Sequence, residues 1–587
     1  MGKLDHTVRD HIQAHPGVAP TKIWDVAPGA EFDEEHDLKR QPSWWVDGTH
    51  PIPSWCPFFG WLWARTCGKG LHYTCERLSL PRSKGVATRF IYGTHYQGIL
   101  TIKDEEEIKR REIKFREAMR PFIEDFDGWW SAAKERMMGY YKELKALDLD
   151  TCTENELWWH FHDCMDTLVR MWEVHFDGMY SSNFAWVLFE ELCKEWWGMT
   201  DSSPEFQKLM IGFDHKMFQG DKRLWQFGQD AMKAGLADIF LTTEAREVIP
   251  KLEQTEAGRE WLKSLREFLD EDGWRMERLA EVNEPTWIED PTPAIANIKA
   301  FIAKGGDFVL DEVRERAAKE REEAVAAIMQ RVPEEQKEWF LALLRLAQKV
   351  GTFMEEHTYY CEFYCFALIR RALLAIGRRW VKAGTVDNVD DIFFFSQEEI
   401  ESHIFAPEFW DLRYIAERRR KEWEEWLKIP PTEIPPVSTT WDTPEESLMN
   451  DVMASMDPIV TKNVIGELPE VRPELKADVY GTRGSHGVAE GVARVIMSLE
   501  QLHEVQPGEI LIAPNTAPSW TPVFALIKGV VIDRGGMLSH AAIVGREYGI
   551  PAVVNTFDAT AKIKTGDLIK VNGSEGTVYI LSKSASQ

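Results

Sequence analysis

At Ile429 the chain changes character, because the segment 429–443, IPPTEIPPVSTTWDT, holds four prolines and cannot continue a helix. Before it, from about residue 104 to 430, apolar residues recur at three and four among Glu, Lys, Arg, Ala and Leu, the pattern of long amphipathic helices. After it the period falls to two. The short β-branched runs 492–496, 509–512, 529–532, 552–554, 568–571 and 577–580 are bounded by Gly or Pro and read as strands, with a helix over 541–548 ended by Gly549 and Pro551. A chain of 587 residues is also too long for one hydrophobic core. The switch therefore predicts a multidomain protein: a mainly α-helical, Trp-rich region over 1–430, a proline-containing linker over 431–474, and a β/α domain over 475–587. Residues 30–103, rich in Pro, Gly and aromatics, read as irregular structure with a short hairpin.

Charge narrows the partners. The chain has 69 basic and 96 acidic side chains, a net charge of −27, which repels phosphate backbones and anionic lipid headgroups and argues against nucleic acid and membranes. The N-terminal sequence is charged and lacks a secretory apolar stretch, so a cytoplasmic location is expected. Eight cysteines without a C-x-x-C pair fit reduced thiols, with Cys361 and Cys365 as core residues and no metal site. The 25 tryptophans, often doubled as in Trp129-Trp130 and Trp196-Trp197, fit either thick helix packing or the walls of a pocket for an aromatic ligand.

The chemistry concentrates in Gly535-Gly-Met-Leu-Ser-His540-Ala-Ala-Ile-Val-Gly-Arg546. A strand ends at Asp533, two glycines permit a tight turn, and Ser539-His540 opens a helix. Free N–H groups and the positive end of the helix dipole favour a phosphate there, and Ser539 is placed to cap the helix or to donate to a phosphoryl oxygen. An imidazole is a competent nucleophile near neutral pH.

This stretch, with Gly508–Ile512, Asn515–Pro522 and Gly484–Gly487 upstream, resembles the phosphohistidine signature of the swivelling domain in the phosphoenolpyruvate-utilising family. The resemblance covers residues 475–585 and implies a phosphohistidine at His540, with Ser539, Gly535, Gly536, Thr516 and Arg546 around the phosphoryl group. His486, in a glycine-rich loop, reads as structural. More weakly, 370–384, 390–399 and His50-Pro-Ile-Pro53 resemble the acceptor-binding region of family members. The helical first 430 residues are expected to hold no counterpart of the family's ATP-grasp domain, and the 47 residues past His540 are expected to hold no barrel. In architecture the chain is similar to the large subunit of phenylphosphate synthase and of alkylphenol-phosphorylating enzymes. That similarity implies a separate ATP-grasp subunit that binds ATP and Mg²⁺, and a phenolic acceptor. An antibiotic or other alcohol as acceptor, or a carrier without acceptor chemistry, are the alternatives.

Transfer to a phenol needs a base and cations. His357, Tyr360, Tyr364 and Arg371 fall at offsets 0, 3, 7 and 14, close to one helix face, which makes His357 a candidate base, Arg370 or Arg371 a phosphate clamp, and Tyr360, Tyr364 and His50 candidate substrate contacts. His175 is the alternative base. The same stripe reads equally as a buried polar network.

Overall fold

The computed structural model describes residues 54–429 and 471–584, apart from 92, 279–280, 306–308, 498 and 517–519, together with strand backbones at Ser43–Val46 and Val437–Thr439. His50 and almost all of the linker expected over 431–474 lie outside the described residues. Two compact units divide the chain. One comprises Met1–Ser181, Ala280–Asn283 and Tyr360–Thr461, the other Ser182–Leu279, Glu284–Tyr359 and Lys462–Gln587.

The first unit is built on long helices. Glu105–Ala146 starts where the Asp104 carboxylate accepts from the N–H groups of Glu106 and Glu107, satisfying two orphan donors, and its buried residues recur along one stripe from Ile108 through Phe115, Phe122 and Trp130 to Tyr141. Beside the helices lies an antiparallel sheet of β1 (Ser43–Val46), β2 (Ser83–Ile91), β3 (Thr94–Thr101) and β4 (Val437–Thr439), in the order β2-β3-β1-β4. The expected hairpin is β2–β3. The expected irregularity is corrected over Pro57–Arg77, a 21-residue helix with proline in its first turn. Its glycines, which read as breakers, are contact points instead: a Cβ on Gly60 would lie 2.3 Å from the Phe90 ring, and one on Gly70 would lie 2.4 Å from Trp172 Cβ. Tryptophans here pack on one another, Trp63 lying 4.7 Å from Trp55 and 4.6 Å from Trp172 between ring centroids.

The second unit joins helices to the C-terminal sheet. That sheet has eight strands: β5 (Val479–Tyr480), β6 (Thr482–Ser485), β7 (Val488–Val495), β8 (Ile510–Ala513), β9 (Gly529–Ile532), β10 (Ala552–Val554), β11 (Leu568–Asn572) and β12 (Thr577–Ser582), in the order β5-β12-β11-β7-β8-β9-β10-β6. Strands β7 to β10 run parallel to one another and the outer pairings are antiparallel. β5 and β6 were not legible from the sequence, being short and interrupted by glycine. Side-chain alternation splits the sheet into two faces. Ile510, Ile512, Val531 and Val553 join Val571 and Val578 in one core, whereas Leu511, Ala513, Val530 and Val554 meet Ala541, Ala542 and Val544 of the helix His540–Tyr548. That apolar face seats the helix, and Gly549 at φ 68° ends it. Ala525 and Tyr548 pack into the same cluster as Leu224, Phe240, Trp261 and Phe268, and Leu538 packs with Phe206 and Phe340, so sheet domain and helices share cores within this unit.

Candidate functional site

The parallel strands β8 and β9 deliver the site at their carboxyl ends. Beyond them the chain stays paired, Asp533 N–H donating to Ala513 O at 3.1 Å and Arg534 N–H to Pro514 O at 2.9 Å, which brings Thr516 and the 535–539 turn together. Asp533 anchors the far side by accepting from Thr556 Oγ1 at 3.0 Å and from the Thr560 N–H at 3.2 Å. Gly535 sits at φ 113°, and a Cβ there would lie 2.7 Å from Ser539 Cβ, so the turn requires glycine.

His540 is the first residue of its helix and is half-buried. Its Nδ1 lies 3.0 Å from Thr516 Oγ1 and its Nε2 lies 3.1 Å from Thr521 Oγ1. Phe524 meets the ring edge-on at 5.7 Å. Burial, and then the nearby His215 imidazole, push its pKa down to about 3, so the ring is neutral and carries a lone pair at neutral pH. His215 precedes the helix Lys216–Lys233 and caps it, Nδ1 accepting from Phe218 N–H at 3.3 Å, and burial likewise lowers it to about 4. Ser539 does not cap its helix: its backbone has the extended conformation of a cap, but Oγ makes no cap bond and is buried with no partner among the described residues. That leaves the hydroxyl for a group on His540. Gly536 accepts the Ser539 N–H at 3.1 Å and closes the turn.

Arg546 departs from the expected role. Its guanidinium donates to Gly484 O at 2.8 Å and Met537 O at 3.0 Å, bracing the turn against β6, and burial lowers its pKa to about 10. Thr521 was missed in the sequence, although it stands in the Asn515–Pro522 segment five residues after Thr516.

The other candidates are placed differently. His357 ends the helix Lys337–His357, with Nδ1 2.9 Å from Phe353 O of its own helix and its ring stacked on Phe353 at 5.1 Å. A π-helical segment, Thr358–Phe363, follows and widens the turn, so the expected stripe from His357 to Arg371 is broken at its first step. His357 belongs to the second unit, and Tyr360, Tyr364, Arg370 and Arg371 belong to the first. Arg371 donates to Lys145 O at 3.3 Å and Leu147 O at 3.2 Å, and Arg370 donates to Val282 O at 3.0 Å. These guanidiniums are thus committed to backbone carbonyls rather than set as a phosphate clamp. Tyr364 accepts from Lys145 Nζ at 2.6 Å and stacks on Tyr141 at 4.9 Å, while Tyr360 packs edge-on against Trp130. His175 Nε2 lies 3.2 Å from Glu362 Oε1, a buried pair within the first unit. Within the first unit Tyr364, Arg370, Arg371 and His175 thus each hold protein partners.

Comparison with known proteins bears on the same residues. Residues 505–576 match the mobile domain of PEP-utilising enzymes, and residues 173–355 match the fourth domain of rifampicin phosphotransferase. Chondramide synthase cmdD of Chondromyces crocatus is 28% identical over 95% of this chain and 14% of its own length. The uncharacterized phosphotransferase YvkC of Bacillus subtilis is 26% identical over 76% of this chain and 51% of its own, and the rifampicin phosphotransferase of the same organism is 29% identical over 57% and 36%. The chain thus spans about half, or less, of the length of these relatives. The segment that carries His540 is thus similar to the mobile domain of PEP-utilising enzymes, and the helices within 173–355 are similar to the fourth domain of rifampicin phosphotransferase.

Proposed function

We propose that this chain carries a phosphoryl group on His540 and delivers it to a hydroxyl of an organic acceptor held by its helical region. The phosphoryl group comes from ATP through a separate ATP-grasp polypeptide, which with Mg²⁺ splits ATP to AMP and phosphate. The His540 ring is neutral, oriented by two threonine hydroxyls, half-buried, and adjoined by Ser539 Oγ, which has no partner among the described residues. That combination carries the reading. Its neighbours are hydroxyls and not carboxylates, a donor set that suits a phosphoryl group better than a divalent cation, so ATP and Mg²⁺ are assigned to the partner.

In the loading step the lone pair of a ring nitrogen forms the N–P bond as the P–O bond to the donor's leaving phosphate group breaks, the ring gives up its N–H proton, and the helix N-terminus and Ser539 Oγ–H stabilise the phosphoryl oxygens. In the second step the P–N bond breaks as the acceptor oxygen forms P–O, and the hydroxyl proton is released while the imidazole regains one. A phenol or alkylphenol, giving an aryl phosphate, fits the aromatic-rich helical region. A second reading, an antibiotic or other alcohol as acceptor, is favoured by the match to rifampicin phosphotransferase over 173–355.

Potassium phosphoramidate, which phosphorylates nucleophilic imidazoles without a partner enzyme, tests the carrier step. Intact-mass analysis is expected to show one acid-labile phosphoryl group that is lost in H540A, and incubation with a panel of phenols and alcohols is expected to discharge it. A phosphoryl group that no hydroxyl compound discharges identifies a carrier without acceptor chemistry, and no adduct at His540 overturns the reading.

A further inference from the structure

Within the second unit, deep charged groups stand unpaired next to the helix that carries His540. Arg275 is 1% exposed, and its Nε and Nη2 have no partner among the described residues. Asp221 is 2% exposed with Oδ2 unpaired, and Glu355 is 3% exposed with Oε2 unpaired. The guanidinium lies directly over the backbone beside Asp221, since a Cβ on Gly220 would fall 2.0 Å from Arg275 Nη2. It is held there between the rings of Trp287 and Tyr359, at 5.3 and 5.4 Å from their centroids. Arg275 and Asp221 feel one another's charge but share no hydrogen bond among the described residues.

Buried polar groups are almost always satisfied, and leaving a charged one unmet is costly. Opposite charges that face each other without touching are satisfied by a group that both donates and accepts. An anion would meet Asp221, and a cation would meet Arg275, so a neutral hydroxyl fits best: its O–H donates to Asp221 and its oxygen accepts from Arg275. Burial raises Asp221 to about 7 and Glu355 to about 8, so near neutral pH Glu355 also offers an O–H.

We propose that Arg275, Asp221 and Glu355 form a binding subsite for a second hydroxyl of the acceptor, remote from the hydroxyl that receives the phosphoryl group. The subsite adjoins Tyr548, whose hydroxyl has no partner among the described residues and whose pKa is raised by burial and then by Asp221 and Glu547. Tyr548 is the last residue of the nine-residue helix that begins with His540, so the two stand about 12 Å apart along the axis. A single-ring phenol is too short to reach both. Among phenols and alcohols the subsite therefore selects an elongated acceptor with hydroxyls near its two ends, which deepens the phosphotransferase reading and rests on it.

Paired probes test this: dihydroxybiphenyl, with para hydroxyls at both ends, against its monohydroxy analogue. Titration calorimetry of the full chain, which needs no phosphoryl group, is expected to show the dihydroxy compound binding at least about tenfold more tightly, because a site built to bond a hydroxyl rejects the analogue lacking it. R275M and D221N are each expected to erase that difference, and D221N keeps the test open where R275M fails to fold. Equal binding of the pair, no binding of either, or a preference that survives D221N overturns the proposal and leaves a bridging water as the occupant. Loading of His540 by phosphoramidate is followed separately, so failure of the carrier chemistry and failure of the subsite give different results.

Discussion

Thr516 and Thr521 each bring a hydroxyl to one nitrogen of the His540 ring, and a neutral imidazole has one donor and one acceptor nitrogen, so one threonine accepts and the other donates. The pair fixes the plane of the ring. Removing both hydroxyls in a T516V/T521V variant is expected to slow phosphoramidate loading by about tenfold or more, the worth of one to two hydrogen bonds; an unchanged rate would show that the hydroxyls do not orient the ring. The depressed pKa makes a second prediction. An ordinary histidine is mostly protonated at pH 5, but His540, held down to about 3, is still neutral there. Carbethoxylation of His540 by diethyl pyrocarbonate, measured as the difference between the wild type and H540A, should hold its rate from pH 7 to about pH 5, where a model imidazole falls steeply. The sign follows for stability: the folded pKa lies below the unfolded one, so His540 disfavours the folded state progressively as pH falls below about 6.5.

Among the elements, the turn 535–539 and its helix are the part that sequence made plainest. Gly-Gly, then Ser-His, then a glycine stop gave the strand, turn and helix, because turn chemistry is local. A G535A variant must place a Cβ 2.7 Å from Ser539 Cβ at φ 113°, a strain of about 1–3 kcal/mol. It is expected to lower both thermal stability and His540 loading, and a variant as stable and reactive as wild type would contradict the geometry. The helix Pro57–Arg77 was illegible for the opposite reason. Gly60 and Gly70 lower helix propensity locally and are explained only by Phe90 and Trp172, which come from elsewhere in the chain. The stripe from His357 to Arg371 does not keep one face, because the turn through Thr358–Phe363 is π-helical and wider than the 3.6-residue period legible in the sequence. Arg371 read as a phosphate clamp because its charge is visible in sequence, while its partners, the carbonyls of Lys145 and Leu147, are not.

At the scale of the molecule, the second unit places the C-terminal sheet domain and its helices on shared cores, with Glu547 of the His540 helix accepting from the Gly212 N–H at 2.9 Å. Its buried Glu355, raised to about 8, and Asp221, raised to about 7, with the half-buried Glu547, raised to about 7, give it a pH dependence. Their folded pKa values lie above the unfolded ones, so their contribution is fully present below about pH 4 and is lost as pH rises toward 8. Thermal melts are expected to show that decline across pH 5 to 8, and E355Q, which cannot ionise, to flatten it by an amount on the order of a few kcal/mol; a decline equally steep in E355Q would remove Glu355 from the account. Phosphoryl delivery is the claim on which the rest depends, and intact-mass analysis through a full cycle tests it most directly. With ATP, Mg²⁺ and an ATP-grasp partner, the chain should gain one acid-labile phosphoryl group on His540 and lose it, mole for mole, as phosphorylated acceptor forms. Acceptor phosphorylation that persists in H540A, or a phosphoryl group found on any other side chain, would contradict it.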